Sequence, residues 1–207
     1  MKSKKGHPAF QTGSNNRSKL HTSTGNRIGQ QSARNLKRFL CPLTVNQAST
    51  SELLQHAGTQ GSVFDQLNHL LAKVASQDVK RKVAAVFVLS TRKEPSRVVG
   101  FYTLCSTSIV LSSLPLELVK KLPRYPEVPA ILVGRLARDV SFPGAGSLLL
   151  SDALMRCVRV SQEIAAAVIV VDSKGEAATG FYSKFGFASL PRFPQRMFLP
   201  MTTAAKI

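Results

Sequence analysis

At 207 residues and 43% hydrophobic, the chain has room for one domain with an apolar core plus an appendage. Its formal charge of +17 suits polyanionic partners such as nucleic acid, CoA or acidic proteins, and says nothing about fold. The three cysteines, Cys41, Cys105 and Cys157, form no C-x-x-C pair and have no histidine at ligand spacing, which argues for a reducing compartment and against a zinc site or any other metal.

No apolar run approaches the roughly 20 residues of a membrane span, and none resembles a signal-peptide core, so a cytoplasmic protein that does not enter membranes is expected. The positive charge is concentrated at the start. No Asp or Glu precedes Glu52, while Lys2, Lys4, Lys5, Arg17, Lys19, Arg27, Arg34, Lys37 and Arg38 stand among polar residues. Such a composition cannot bury enough apolar surface to offset backbone ordering, so residues 1–38 are expected to be a disordered basic tail and residues 39–207 the folded domain. Three readings of the tail stand beside one another: a nucleic-acid-binding arm, a dispensable extension upstream of the domain, and a transit peptide, against which counts the lack of an amphipathic stripe.

Apolar positions Val63, Leu67, Leu70, Leu71, Val74 and Val79 predict a first helix over Ser62 to Val79. A strand is expected over Val83 to Leu89 and a second over Val98 to Leu111, forming an antiparallel hairpin across the polar turn at Thr91 to Ser96. Leu114 to Leu122 reads as a short helix ended by Pro123, and Pro129 to Asp139 as a strand. A helix follows from about Ser147 to Ile164, with Leu149, Leu150, Leu154, Cys157 and Val158 as its inner stripe. Ala165 to Val171 has the continuous apolar character of a strand buried on both faces. Glu176 to Phe185 is helical, Gly186 caps it, and Met197 to Leu199 is a last strand. Cys105 falls in a strand and Cys157 in a helix, where both are expected to be buried thiols. Helices alternating with strands after an opening hairpin imply an α/β fold with a mixed central sheet covered on both faces.

The unit most informative for chemistry is strand, glycine turn, helix over residues 129–164. Gly144-Ala145-Gly146 lets the chain approach a ligand, and the following helix offers free N–H groups to phosphate. Taken alone, the same residues make a plain tight turn.

The wider order of motifs adds to this. Gly100-Phe101-Tyr102-Thr103-Leu104, Leu114-Pro115, Lys121-Leu122-Pro123-Arg124-Tyr125-Pro126 and Pro129 to Ala137 with Asp139 come first. Leu149 to Leu154, Val170-Val171-Asp172, Glu176-Ala177-Ala178, Phe181 to Phe187 and Phe198-Leu199-Pro200-Met201 follow. Over roughly residues 62–201 this series resembles the GNAT superfamily of acetyl-CoA-dependent N-acetyltransferases, in its tRNA-acetylating toxin branch.

That resemblance implies a GNAT fold with a V-shaped cleft, in which acetyl-CoA lies against Leu136, Ala137, Gly144, Ala145, Gly146, Ser147 and Phe181. It assigns Tyr182 as the catalytic proton donor to the departing sulfur. A phenol with a pKa of about 10 keeps its proton at neutral pH, although beside Phe181 and Phe185 the ring also reads as a packing residue. The resemblance further implies aminoacyl-tRNA as substrate, translation inhibition as outcome, a ribbon-helix-helix antitoxin as partner and a homodimer.

Acidity supports the substrate class independently. An α-amino group titrates at about 7.7–8.0, against about 10.4 for lysine, and needs no strong base. Only Asp172 and Glu176 are candidate carboxylates near the cleft, and a glutamate opening a helix is usually a dipole partner. Lys120, Lys121, Arg124, Arg135 and Arg138 are candidate contacts to RNA phosphates, each of which also reads as a solvated surface charge.

The chain departs from the family at the phosphate turn. There the usual frame, Gln or Arg, two residues, Gly, one residue, Gly or Ala, falls on Pro143, Gly146 and Leu148, where Pro143 brings no N–H; aligning both glycines instead leaves the turn about two residues short before Leu149. A phenylalanine-aspartate-cysteine-glycine stretch before the first helix is absent around Gln60 to Val63, and Ala85 stands where relatives have arginine. Two other readings therefore remain beside the toxin: a catalytically impaired GNAT-fold protein that binds nucleic acid, and a lysine-directed protein N-acetyltransferase.

Overall fold

The structure, a computed structural model, describes residues 43–49 and 76–207. The basic tail, the domain boundary at 39, Cys41 and residues 62–75 of the expected first helix lie outside the described residues. In chain order the elements are β1 (Leu43–Gln47), α1 (Ser76–Lys80), β2 (Ala85–Thr91), β3 (Val98–Val110) and α2 (Leu116–Val119), the last preceded by a 3₁₀ turn. They continue with β4 (Glu127–Arg138), α3 (Ala145–Val160), β5 (Val168–Asp172), α4 (Glu176–Ser183), β6 (Ala188–Leu190), β7 (Phe193–Pro200) and α5 (Met201–Ala204).

The strands form one mixed sheet in the order β1-β2-β3-β4-β5-β7-β6. β2 and β3 make the expected antiparallel hairpin, and β4 with β5 is the parallel pair. On one face α3 lays Leu149, Leu150, Ala153, Leu154 and Cys157 over Phe87, Tyr102, Val133 and Ile169, with Tyr182 of α4, Phe185 in the turn after it, and Met201 and Ala204 of α5 added. The other face carries Val79 of α1 against Val86, Val88 and Phe101, and Leu118 and Val119 of α2 against Ile109, Val128 and Val170. β5 shows why its sequence is almost wholly apolar. Val168 and Val170 point to one layer and Ile169 and Val171 to the other.

Several boundaries differ from those read in the sequence. β2 begins at Ala85 and not Val83, because the N–H groups of Val83 and Ala84 turn back onto the carbonyl of Asp78, at 3.0 and 3.5 Å, after Lys82 takes a positive φ of 58°. α3 begins two residues earlier than expected and gives way to turns after Val160, and Val158 is half-buried. β5 starts at Val168, and β7 begins at Phe193 rather than Met197. β1 and β6 were not anticipated: each is short and lies at a sheet edge, so its pattern carries only half a buried face. Cys157 is buried as expected, whereas Cys105 is half-buried.

Gly100 fixes how closely α3 sits on the sheet. A Cβ there would lie 2.7 Å from both the Ala137 carbonyl oxygen and Leu149 Cδ1. α3 is also tied by polar contacts: Tyr102 donates to Asp152, which accepts from Arg156 Nε at 2.7 Å, while the Arg156 guanidinium stacks 4.4 Å above Phe87.

Candidate active site

Where β4 parts from β5 a site opens. The parallel ladder runs from Ala130 and Val168 to Val133 and Val171 and stops there, while β4 continues beside β3 as far as Arg138. The separation coincides with a bulge. Tyr102 is opposite Leu136 but Leu104 is opposite Val133, so β4 carries an extra residue. The buried Thr103 hydroxyl accepts the Arg135 N–H at 3.0 Å and so satisfies a donor that the bulge displaces. Gly134 suits this turn, since a Cβ there would stand 3.1 Å from Thr103 Oγ1.

The result is a chamber of about 230 Å³, lined along β4 by the stretch from Gly134 to Ala137 and beneath by Phe101. Asp172 at the end of β5 and Lys174 in the loop after it close the chamber on one side, and Ala178 and Tyr182 of α4 on another. This is the V-shaped cleft of the sequence analysis, with Leu136 and Ala137 on its wall.

Tyr182 is 8% exposed and held edge-on by Phe181 and Phe187, with ring centroids 5.3 and 5.7 Å away. Its hydroxyl makes no hydrogen bond with the described residues, and burial pushes the phenol above its usual pKa. Packing and chemistry are thus compatible in this residue: the ring belongs to the core and the side chain borders the chamber.

The two candidate carboxylates are otherwise engaged or distant. Asp172 accepts two hydrogen bonds from Arg196, at 2.8 and 3.1 Å, from the facing position on β7. Glu176 is exposed in the first turn of α4 and does not line the chamber. Between them Ser173 is locked in place. Its N–H and hydroxyl both donate to the Gln195 carbonyl, at 2.7 and 2.9 Å, and its hydroxyl accepts from Thr179 at 2.9 Å.

At the glycine turn Gly144 adopts a φ of 89° and leads directly into α3, whose Ala145 and Gly146 are buried and whose Ser147 is half-buried. Ala145 N–H is taken by the Phe142 carbonyl at 3.2 Å, whereas Gly146 N–H meets no backbone acceptor among the described residues. Phe181 and Arg138 flank Gly146, with Phe181 Cζ 3.8 Å and Arg138 Cδ 3.6 Å from where a Cβ would be. The turn is braced from both sides. Arg138 donates to the carbonyls of Asp139, Val140 and Phe142, and Asp139 accepts the Ser141 N–H at 2.8 Å.

The five cations read as RNA contacts are not brought together. Lys120, Lys121 and Arg124 are exposed at the end of α2, and Lys120 pairs with Glu117. Arg135 lines the chamber but pairs with Asp78, and Arg138 donates to the carbonyls of the glycine turn. Lys174, Thr103 and Arg196 were not singled out in the sequence, because a lysine in a loop, a threonine in a strand and an arginine near the end carry no pattern of their own. Among the described residues no group of three or more His, Cys, Asp or Glu is placed to hold a metal ion, and no helix is long and apolar enough to cross a membrane.

No protein-family model matches the chain. Over 147 residues it is 31% identical to the probable toxin TacT of Sinorhizobium fredii, a match spanning 67% of this chain and 81% of that protein. Over 110 residues it is 38% identical to a tRNA-acetylating toxin of Mycobacterium tuberculosis, covering 52% of this chain and 65% of the other. Among solved structures, AtaT complexed with acetyl-methionyl-tRNAfMet superposes with a TM-score of 0.69 at 24% identity, covering 80% of this chain and 98% of that one. AtaTR bound with AcCoA gives 0.63 at 24% identity over 79% and 96%, and an AtaT mutant bound to the C-terminus of the antitoxin AtaR gives 0.61 at 23% over 79% and 96%. At these identities the structures establish the fold.

Proposed function

The chain belongs to the GNAT-fold family of tRNA-acetylating toxins, and from that membership we propose that it is an acetyl-CoA-dependent N-acetyltransferase that acetylates the α-amino group of aminoacyl-tRNA and blocks translation. The observation that carries this reading is the chamber where β4 loses its β5 neighbour, with Tyr182, whose hydroxyl makes no hydrogen bond with the described residues, on its wall.

The residues present fit acetyl-CoA. Past Val133 no strand among the described residues pairs with β4 on the β5 side, so those backbone groups between Gly134 and Ala137 that are bonded neither to β3 nor to Thr103 are available to an extended, amide-bearing arm. Gly146 N–H, at the positive end of α3, is available to a phosphate although Pro143 supplies no donor, and Gly144, Ala145, Ser147 and Phe181 shape that end of the site. Acetyl-CoA, when bound, supplies the thioester-activated acetyl group.

The chain's own residues then have limited but distinct tasks. Tyr182 holds a proton at Oη, kept there by burial, and can give it to an anion formed in the chamber. Asp172 is neutralised by Arg196 and holds the corner of β5 rather than drawing a proton from the amine. An α-amine on an ester needs little help of that kind, whereas a lysine ammonium would, and this favours aminoacyl-tRNA over a lysine-directed activity. The exposed Lys120, Lys121 and Arg124 add positive charge, with the basic tail, toward an RNA backbone, whereas Arg135 and Arg138 are engaged with Asp78 and the glycine turn.

AtaT is seen bound to its antitoxin AtaR, and by analogy this chain is restrained by a partner protein, of ribbon-helix-helix type in our reading, and works in the cytoplasm as a homodimer. Calorimetric titration with acetyl-CoA tests the core of the reading. Micromolar binding supports it, and no heat at millimolar ligand contradicts it.

A further inference from the structure

A second cavity adjoins the chamber and shares Asp172 with it. It measures about 440 Å³, within the roughly 300–1,000 Å³ of small-ligand sites, and is bounded by Arg192, Phe193, Pro194, Gln195 and Arg196. These residues form the tip and first part of the β6–β7 hairpin, where Leu190 pairs with Phe193 across Pro191 and Arg192.

Two side chains at this tip take no part in the core clusters or ion pairs of the described residues. Phe193 is 56% exposed and belongs to none of the core clusters, while every other phenylalanine among the described residues is buried or half-buried. Arg192 is exposed and forms no ion pair with the described residues. The one carboxylate of the groove, Asp172, is already paired with Arg196, so the surface presented to a ligand is an exposed aromatic ring beside a cation that forms no ion pair with the described residues. Lys174, where the chamber begins, adds a second positive charge. An aromatic platform with cations alongside is how single-stranded nucleic acid is held: a base stacks on the ring and the phosphates meet the charges.

We propose that Phe193 is a stacking platform for a base in the single-stranded 3′ end of the aminoacyl-tRNA, with Arg192 holding a neighbouring phosphate. The end of the RNA then lies in the groove while its ester-linked amine reaches the Tyr182 chamber. This rests on the function proposed above. Phe193 touches no reacting atom in this scheme and is a positioning residue.

The test compares full-length wild type with Phe193→Ala and Phe193→Tyr on two acceptors, charged tRNA and an amino-acid methyl ester that has no base to stack. Loss of one stacked base raises KM for charged tRNA about tenfold or more in Phe193→Ala, lowers the preference for tRNA over ester by the same factor, and is reversed in Phe193→Tyr. An unchanged KM for charged tRNA, or an equal fall with both acceptors, overturns the assignment of Phe193. Should the wild type bind acetyl-CoA but acetylate no charged tRNA, the proposed function itself fails and takes this inference with it.

Discussion

Asp172 and Arg196 face each other across β5 and β7 and are joined by two hydrogen bonds of 2.8 and 3.1 Å. The pair removes the carboxylate nearest the chamber from service as a base, and the Arg196 guanidinium is driven further toward its charged form by that same contact. Asp172→Asn is therefore expected to lower kcat on charged tRNA by less than about tenfold, against the roughly 10²–10⁴-fold loss that follows removal of a general base. Steady-state kinetics decide this, and a loss of a hundredfold or more would restore Asp172 as a catalytic base.

Tyr182→Phe removes a proton and leaves the ring. The Phe181 and Phe187 contacts remain, so affinity for acetyl-CoA is expected to hold while turnover falls by about two orders of magnitude or more. Because burial raises the phenol's pKa, the active protonated form persists up to the ordinary value of about 10, and wild-type turnover should show no fall assignable to Tyr182 below that pH. A pH–rate profile in both proteins checks the two statements together.

The parts of the site differ in how far the sequence discloses them. β5 announced itself through its unbroken apolar run, and α3 through its inner stripe, because burial on both faces of a strand and on one face of a helix leaves distinct periods. Tyr182 was singled out only through the ordered motifs around it, since an aromatic between Phe181 and Phe185 carries no chemical signature. The bulge at Gly134 and the hydroxyl of Thr103 that sustains it were not legible at all. A bulge is a relation between two strands, and no local pattern in either records it. The same limit explains Arg135 and Arg138, which looked like free cations but find Asp78 and the carbonyls of the phosphate turn once the chain is folded.

Thr103→Val keeps the shape of the side chain and deletes the acceptor for Arg135 N–H. Leaving that donor without a partner in a buried site is expected to cost about 1–3 kcal/mol. Denaturant unfolding measures the loss, and a parallel titration should show weaker acetyl-CoA binding, because the bulge is what turns β4 away from β5. Unaltered stability would mean that the hydrogen bond contributes nothing net.

Alkaline pH should destabilise the fold through groups that stay protonated when buried. The Cys157 thiol is pushed up to about 12 by burial, and burial followed by the Asp152 hydrogen bond raises the Tyr102 phenol as well. A folded-state pKa above the unfolded one gives stability that is complete below the unfolded value and is lost as pH rises through the folded one. For Cys157 the window runs from about 9 to about 12. Urea midpoints measured in steps from pH 8 to 11 should fall, and Cys157→Ala should show a shallower decline than wild type over that range.

The central claim is acetyl transfer to charged tRNA, and the most direct measurement supplies the full-length protein with acetyl-labelled CoA and a mixture of aminoacyl-tRNAs, then identifies the labelled product. Label is expected on the α-nitrogen of the esterified amino acid, and its rate of appearance is expected to fall by about two orders of magnitude or more in Tyr182→Phe. Label appearing on lysine side chains of added protein instead, or no transfer by a protein that binds acetyl-CoA, would contradict it.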